Sequence, residues 1–435
     1  MKTSDSLKNK VLQAILSNLQ PAEKRRLGVE VETIFYDQKL RRIPVNKGKR
    51  YSASDLMDDL SQFQKKEENP CTYSLEPGGQ LEWASSPFVS LHETNSQLQT
   101  HTGFLDKLCS EHSLVPLDLS MEPIFEPGEI ELIDLKKYHL MNERFQSTGS
   151  HGSWMMRNSA SVQVNIDLTD KNDGAEMAFV ADCLQPFCSF LFSHSPFIKG
   201  RNAGKNNLRI QIWNDTDYTR CGHLIDHGLY QSQSLIESYV EYILGVPAIF
   251  ILGSNSEVKD YNGLLEDWLN SLNNQGRLSS EYIHSALHQI FTHVRFKHVL
   301  EVRGADRPPF GFELAPAAFW CGLLTAEKVR KNLLTMVTAW SKEERASLNK
   351  SAETLELTQA GPEGKTCEKW IHILSDYAIR GLDERADFLG IKSERMFLEP
   401  FLEQSLEKLW TLKIQNSLKK SGQNINSFLR NAYTR

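Results

Sequence analysis

No two cysteines in the chain stand in a C-x-x-C spacing. The seven that occur, at positions 71, 109, 183, 188, 221, 321 and 367, are odd in number and scattered. That distribution argues against a disulfide framework or a structural zinc site, and for buried thiols in a reducing compartment. Positive charge is not in excess: 49 Lys and Arg stand against 55 Asp and Glu, a formal net charge of −6. No global field therefore draws nucleic acid or an anionic membrane. No run of about 18–20 apolar residues is present to suggest a membrane span. The opening "MKTSDSLKNKVLQAILSNLQ" lacks the long apolar stretch and cleavage site of a secretory leader, and spaces its apolar residues as an amphipathic helix does. The expected setting is cytoplasmic. G-x-G-x-x-G and G-x-x-x-x-G-K-[ST] are missing, so no motif supports a dinucleotide fold or a P-loop. There is no G-x-S-x-G elbow, H-E-x-x-H pair or kinase signature, and no internal repeat.

What is present is a set of strands with one apolar and one polar face. In "LGVEVET" (27–33), Val29 and Val31 face one way and Glu30 and Glu32 the other. "CTYSLEPGGQLEWASSP" (71–87) reads as strand, turn and strand about Pro77-Gly78-Gly79, with acids at Glu76 and Glu82. "SASVQVNIDL" sets Val162, Val164 and Ile166 against Gln163, Asn165 and Asp167. "NNLRIQIWND" (206–215) alternates in the same way and is expected to be a strand carrying Arg209 and Gln211 on one face. "HVLEVRGAD" (298–306) places Glu301 and Arg303 together. Helical periodicity covers 6–20, 88–112, 174–193, 232–250, 281–292 and most of the chain from about 316. A shorter helix is expected within 52–65, with Ser54 as its cap. The Lys-, Asn- and Ser-rich stretch 413–435 is expected to be a mobile tail on a single catalytic domain spanning 1–412. Strands at irregular intervals with hairpin signals predict an α+β fold rather than a doubly wound sheet.

Five carboxylates on one sheet face repel each other unless cations neutralise them. Hard oxygen ligands suit Mg²⁺, with Mn²⁺ as the alternative, and no Cys/His cluster competes for zinc. Arg209, Arg220 and Arg303 add guanidinium groups able to grip a carboxylate or phosphate with paired bonds. Acids, divalent metal and arginines together point to phosphoryl transfer. The glycine-rich "STGSHGSWMM" is expected to be a loop near substrate, with His151 beside it.

Taken together, "LGVEVET", "YSLEPGGQLEWASSP", "GSHGSWMMRNSASVQVNIDL", "LFSHSPFIKGRNAGKNNLRIQIWNDTDYTRCG", "YVEYILGVPAIF" and "VLEVRGADRPPFGFELAPAAFW" resemble the glutamate–cysteine ligase (γ-glutamylcysteine synthetase) family, its plant and proteobacterial branch above all. The resemblance runs from residue 27 to 320, about two thirds of the chain. It implies a glutamine-synthetase-like fold, in which a curved, mainly antiparallel sheet forms the active site and helices lie outside. It implies ATP and two or three Mg²⁺ as cofactors, and L-glutamate and L-cysteine as small-molecule substrates. The product would be γ-glutamylcysteine, formed through a γ-glutamyl phosphate, by a monomer or homodimer. Glu30, Glu32, Glu82 and Glu301 match the metal-binding acids. Glu76 matches an acid that meets metal or the incoming amine, with proton acceptance as its suggested catalytic role. Gln163 sits where some relatives have a metal- or phosphate-binding histidine, and Arg303 matches the arginine that steadies the transferred phosphate. Arg209 matches the arginine that grips the α-carboxylate of glutamate, and Asn165 and Arg220 complete the expected substrate contacts. Trp154 stands where relatives tend to carry an acid. That departure keeps open a ligase joining glutamate to a different amine; a catalytically inactive binding module is the other alternative.

Overall fold

The computed structural model describes residues 5–65 and 67–434. Its centre is a seven-stranded sheet built from β1 (Leu27–Asp37), β2 (Thr72–Leu75), β3 (Leu81–Ala84), β4 (Leu114–Leu117), β5 (Ser161–Ile166), β6 (Val294–Phe296) and β7 (Leu300–Asp306). The order is β6-β7-β5-β1-β3-β2, and β4 pairs with the far half of β1. Every one of these pairings is antiparallel.

Period-two alternation divides the sheet as the sequence leads one to expect. Val29, Val31, Val162, Val164, Ile166, Leu300 and Val302 are buried in one continuous core. Against that face lie the helices Lys171–Leu191 and Ala315–Leu324, the second covered in turn by Cys367–Leu389. Those last two helices meet backbone to backbone. A Cβ on Gly381 would stand 1.8 Å from the carbonyl oxygen of Gly322, and one on Gly322 would stand 2.1 Å from that of Ala378. Only hydrogen fits at either position. No helix among the described residues is long and apolar enough to cross a membrane.

Three local expectations are corrected. The helix Ala53–Gln64 is capped by Ser52, not Ser54: the Ser52 hydroxyl accepts from the Asp55 N–H, and the Asp55 carboxylate accepts from the Ser52 N–H. Residues 206–215 are not a strand, because Leu208–Asn214 is a helix. The run "LRIQIW" satisfies both periods, and a short apolar stretch does not distinguish them. In the helix Arg209 and Trp213 fall one turn apart, with the guanidinium 5.8 Å from the indole centroid. The tail from 413 is not loose. Trp410–Ser421 and Ile425–Tyr433 are helices whose Leu418, Ile425 and Leu429 pack with Ile34, Tyr36, Val115 and Leu117. The Tyr433 hydroxyl donates to Asp118. Its polar composition hid apolar residues at helical spacing.

Candidate active site

β1 meets β3 with Glu32 directly opposite Glu82, and meets β5 with Glu30 opposite Gln163. Glu301 on β7 lies opposite Asn165 on β5 and Arg295 on β6. Glu76 sits in the turn between β2 and β3. That turn presses so close that a Cβ on Gly78 would stand 2.5 Å from the backbone of Arg157, and Gly79 takes a φ of +76°, which together explain the Gly-Gly pair. The outcome is a cleft of about 360 Å³ lined by Glu30, Glu32, Glu76, Glu82, Gln163, Arg209 and Arg303, together with Arg295, Lys297 and Trp213. A roomier cleft of about 910 Å³ lies off the other face of the sheet, beside Val31 and Thr33, and holds none of the predicted site residues.

Glu32, Glu76 and Glu82 each bring a carboxylate oxygen within 4.8 Å of the others. Their neighbours fix them. Glu32 accepts from the Ser161 N–H and hydroxyl, both at 2.9 Å, and from the Gln163 amide at 2.8 Å. Glu82 accepts from the Ser74 hydroxyl at 2.7 Å. Burial, joined by the charge of Glu76, pushes the Glu32 carboxyl up to about 7. Burial and the charges of Glu30, Glu76 and Glu32 hold Glu82 well above the usual carboxylate range. Burial raises Glu76 too, against the pull of Arg303 and Lys137. Three acids that resist ionising side by side form an all-oxygen donor set, the chemistry that a small hard dication favours.

Glu301 is in a different state. It is fully buried, and burial alone would raise its pKa. Arg295, Lys297 and Arg303 instead hold it well below the usual range. Arg295 donates to both of its oxygens, Arg303 approaches at 2.9 Å, and the Lys297 ammonium stands 3.3 Å away. Glu30 accepts from the Asn165 amide at 2.8 Å. Asn165, expected to touch substrate, thus spends that amide on Glu30 and lines a separate hollow of about 240 Å³ on the other side of Glu30.

A register shift between Val302 and Ala305 inserts one extra residue in β7. There Arg303 donates to the side-chain oxygen of Gln163 while still reaching Glu301. Arg209 is buried at the cleft wall. Its Nη2 donates to the Arg303 carbonyl at 3.0 Å, and its Nε and Nη1 have no partner among the described residues. Unspent guanidinium donors at a cavity wall are costly unless something fills them.

Arg220 does not belong to this site. It is fully buried and committed to structure: Nε donates to Asp217 at 2.8 Å, Nη1 to the Gln289 carbonyl at 3.0 Å, and Nη2 to the Pro247 carbonyl. The glycine-rich stretch, expected to be a loop, is partly helical, and its Met155 lines the cleft. Gly152–Asn158 is helical, His151 pairs with Asp215 at 2.8 Å on the surface, and Trp154 lies under Lys199 rather than in the cleft. Arg295 and Lys297 were overlooked in the sequence, although "VRFK" carries their signal: they alternate with Val294 and Phe296 on the strand and turn that precede Glu301.

Residues 26–375 match the family model described as glutamate–cysteine ligase family 2. The chloroplastic glutamate–cysteine ligase A of Oryza sativa subsp. indica is 29% identical over 377 residues, covering 80% of this chain and 73% of that protein. The chloroplastic glutamate–cysteine ligase of Nicotiana tabacum is 32% identical over 289 residues, covering 65% of this chain and 54% of that protein. Among solved structures, glutamate–cysteine ligase from Francisella tularensis in complex with AMP superposes with a TM-score of 0.60 at 12% identity, over 95% of this chain and 88% of that one. A bifunctional glutathione synthetase from Pasteurella multocida gives 0.51 at 12% identity, over 98% and 52%. The structural likenesses show a shared fold; the sequence match over most of its length shows that the chain belongs to glutamate–cysteine ligase family 2.

Proposed function

We propose that this ligase joins the γ-carboxylate of L-glutamate to the amine of L-cysteine, using ATP and passing through γ-glutamyl phosphate. One observation carries the reading: a cluster of three carboxylates and an arginine with two unpartnered donor nitrogens share a single cleft.

A carboxylate does not acylate an amine because its oxide is a poor leaving group; phosphorylation of that oxygen supplies a better one. Each partner in that step is an anion. Mg²⁺, two or three ions held by Glu32, Glu76 and Glu82 with Glu30 and Glu301 beside them, would screen their repulsion. Arg209 offers its free Nε and Nη1 to the α-carboxylate of glutamate, with the Trp213 ring centroid 5.8 Å from the guanidinium. Arg303, tethered by Gln163 and Glu301, presents positive charge where negative charge spreads over the phosphoryl oxygens. Preorganisation of this kind lowers the barrier because the donors need not reorient. The attacking amine must be neutral, and Glu76, raised by burial, can accept its proton.

All seven cysteines are free and buried, which supports work in a reducing compartment, here read as the cytoplasm, as a monomer or homodimer. The packed tail supports treating the described residues as one catalytic unit. ADP release measured with glutamate and cysteine, with and without Mg²⁺, tests the assignment. Release that depends on all three components is expected. Release that requires a non-thiol amine would replace cysteine as substrate, and no turnover with any amine would make the chain a binding module.

A further inference from the structure

Lys297 occupies a position that no part of the reaction described so far uses. It follows β6 in the tight turn to β7, where its N–H donates to the Val299 carbonyl at 2.9 Å. Its side chain is only 13% exposed, and it lines both the acid cleft and the adjoining 240 Å³ hollow. The ammonium stands 3.3 Å from Glu301 and 3.9 Å from Glu30, both beyond the about 2.7–2.9 Å of a good charge-assisted bond. Among the described residues it has these two ion-pair contacts and no hydrogen bond, so it lies where two cavities meet with donor capacity to spare. Each of the three nitrogens of Arg295 next to it is engaged, by Glu301 or by the Ile290 carbonyl. Arg295 holds Glu301 by direct hydrogen bonds, whereas Lys297 adds its charge from 3.3 Å.

Building on the ligase reading, we propose that Lys297 grips a phosphate oxygen of the nucleotide, and that Glu30 and Glu301 hold its ammonium in place of that phosphate otherwise. A lysine is suited to this exchange: a mobile point charge can leave two carboxylates for an anionic oxygen without a fixed fork to realign. The exchange also withdraws a cation from Glu30 and Glu301 as the phosphates arrive. Nucleotide and divalent ion should then bind cooperatively, each uncovering charge that the other wants.

The test is equilibrium binding without turnover, by calorimetry on the full chain. AMP-PNP (a non-hydrolysable ATP analogue) and adenosine are titrated with and without Mg²⁺, into the parent and the Lys297→Met and Lys297→Arg variants. Lys297→Met should raise the dissociation constant for AMP-PNP about 10- to 100-fold. It should leave adenosine within about twofold and abolish most of the mutual tightening between AMP-PNP and Mg²⁺. Lys297→Arg should recover part of the affinity, which also shows that the position tolerates change. Equal weakening of AMP-PNP and adenosine would make Lys297 a structural residue and overturn the proposal, as would unchanged AMP-PNP affinity in Lys297→Met. Failure of the parent itself to bind AMP-PNP would instead overturn the ligase reading on which the proposal stands.

Discussion

Glu32 and Glu82 are direct partners across an antiparallel ladder, two acids set face to face where sheets ordinarily avoid like charge. Stability is being spent at that pair. Glu82→Gln should therefore raise the melting temperature of the metal-free protein by about 1–2 °C, in line with relief of roughly 0.5–1 kcal/mol of repulsion. The same change should cut turnover by about 100-fold or more, the loss typical of removing a group that stabilises transition-state charge. Thermal melts without metal and initial-rate assays check the two halves. A variant less stable than the parent, or equally active, contradicts this account.

The raised acids give the protein a definite pH response. Glu32 has a folded-state value of about 7 against 4.5 when unfolded, so the folded protein holds an extra proton between those values. Stability from this group is full below pH 4.5 and declines as pH rises through about 7. Glu82 and Glu76 are raised also and act in the same direction. A dication must displace those protons to bind. The rise in melting temperature caused by Mg²⁺ should consequently be larger at about pH 8 than at about pH 5.5. A Mg²⁺ effect that shrinks with rising pH would contradict the carboxylate site.

Arg209→Lys keeps the charge and loses the fork. The glutamate KM should rise about tenfold or more, while the ATP KM moves little. Steady-state kinetics with each substrate varied in turn separates the two, and an unchanged glutamate KM would remove Arg209 from the substrate site.

Arg220→Met should behave quite differently. It leaves two buried backbone carbonyls without their donor, while Asp217 keeps Arg144 at 2.9 Å and Thr219, and the loss costs roughly 2–4 kcal/mol. Denaturant unfolding should show that loss, and whatever folds should keep the parent's glutamate KM. Nearly intact stability with a raised KM would return Arg220 to the substrate site.

These two arginines show what is legible in one dimension. Glu30, Glu32, Glu82 and Gln163 could be placed on a shared face because alternation along a strand is a local rule. The resemblance selected Arg209 although its element was misread: a helix also presents it to the cleft. Arg220 was misassigned because its partners Gln289 and Pro247 are far away in sequence, and a saturated guanidinium looks the same as a free one until those carbonyls are located. Glu76 lies in a turn, where no periodicity assigns a face. Arg295 obeys the alternation rule on a strand of only three residues, too short to stand out, and Lys297 lies just past its end, where alternation assigns no face. The tail helices depend on a groove formed by β1 and β4, which only the folded chain supplies.

The extra residue in β7 has a wider implication. Facing on a strand is a parity, and the dislocation at Arg303 and Gly304 resets it midway. Leu300 and Val302 point to the core before it, and Ala305 does so after it. Deleting one residue there would act on the strand as a frameshift acts on a message. Either Glu301 or the segment leading to Asp306 would be turned to the wrong side of the sheet, with the composition of the chain almost unchanged. Any descendant of this chain that keeps the chemistry should keep that odd count, whatever residues it uses to fill it.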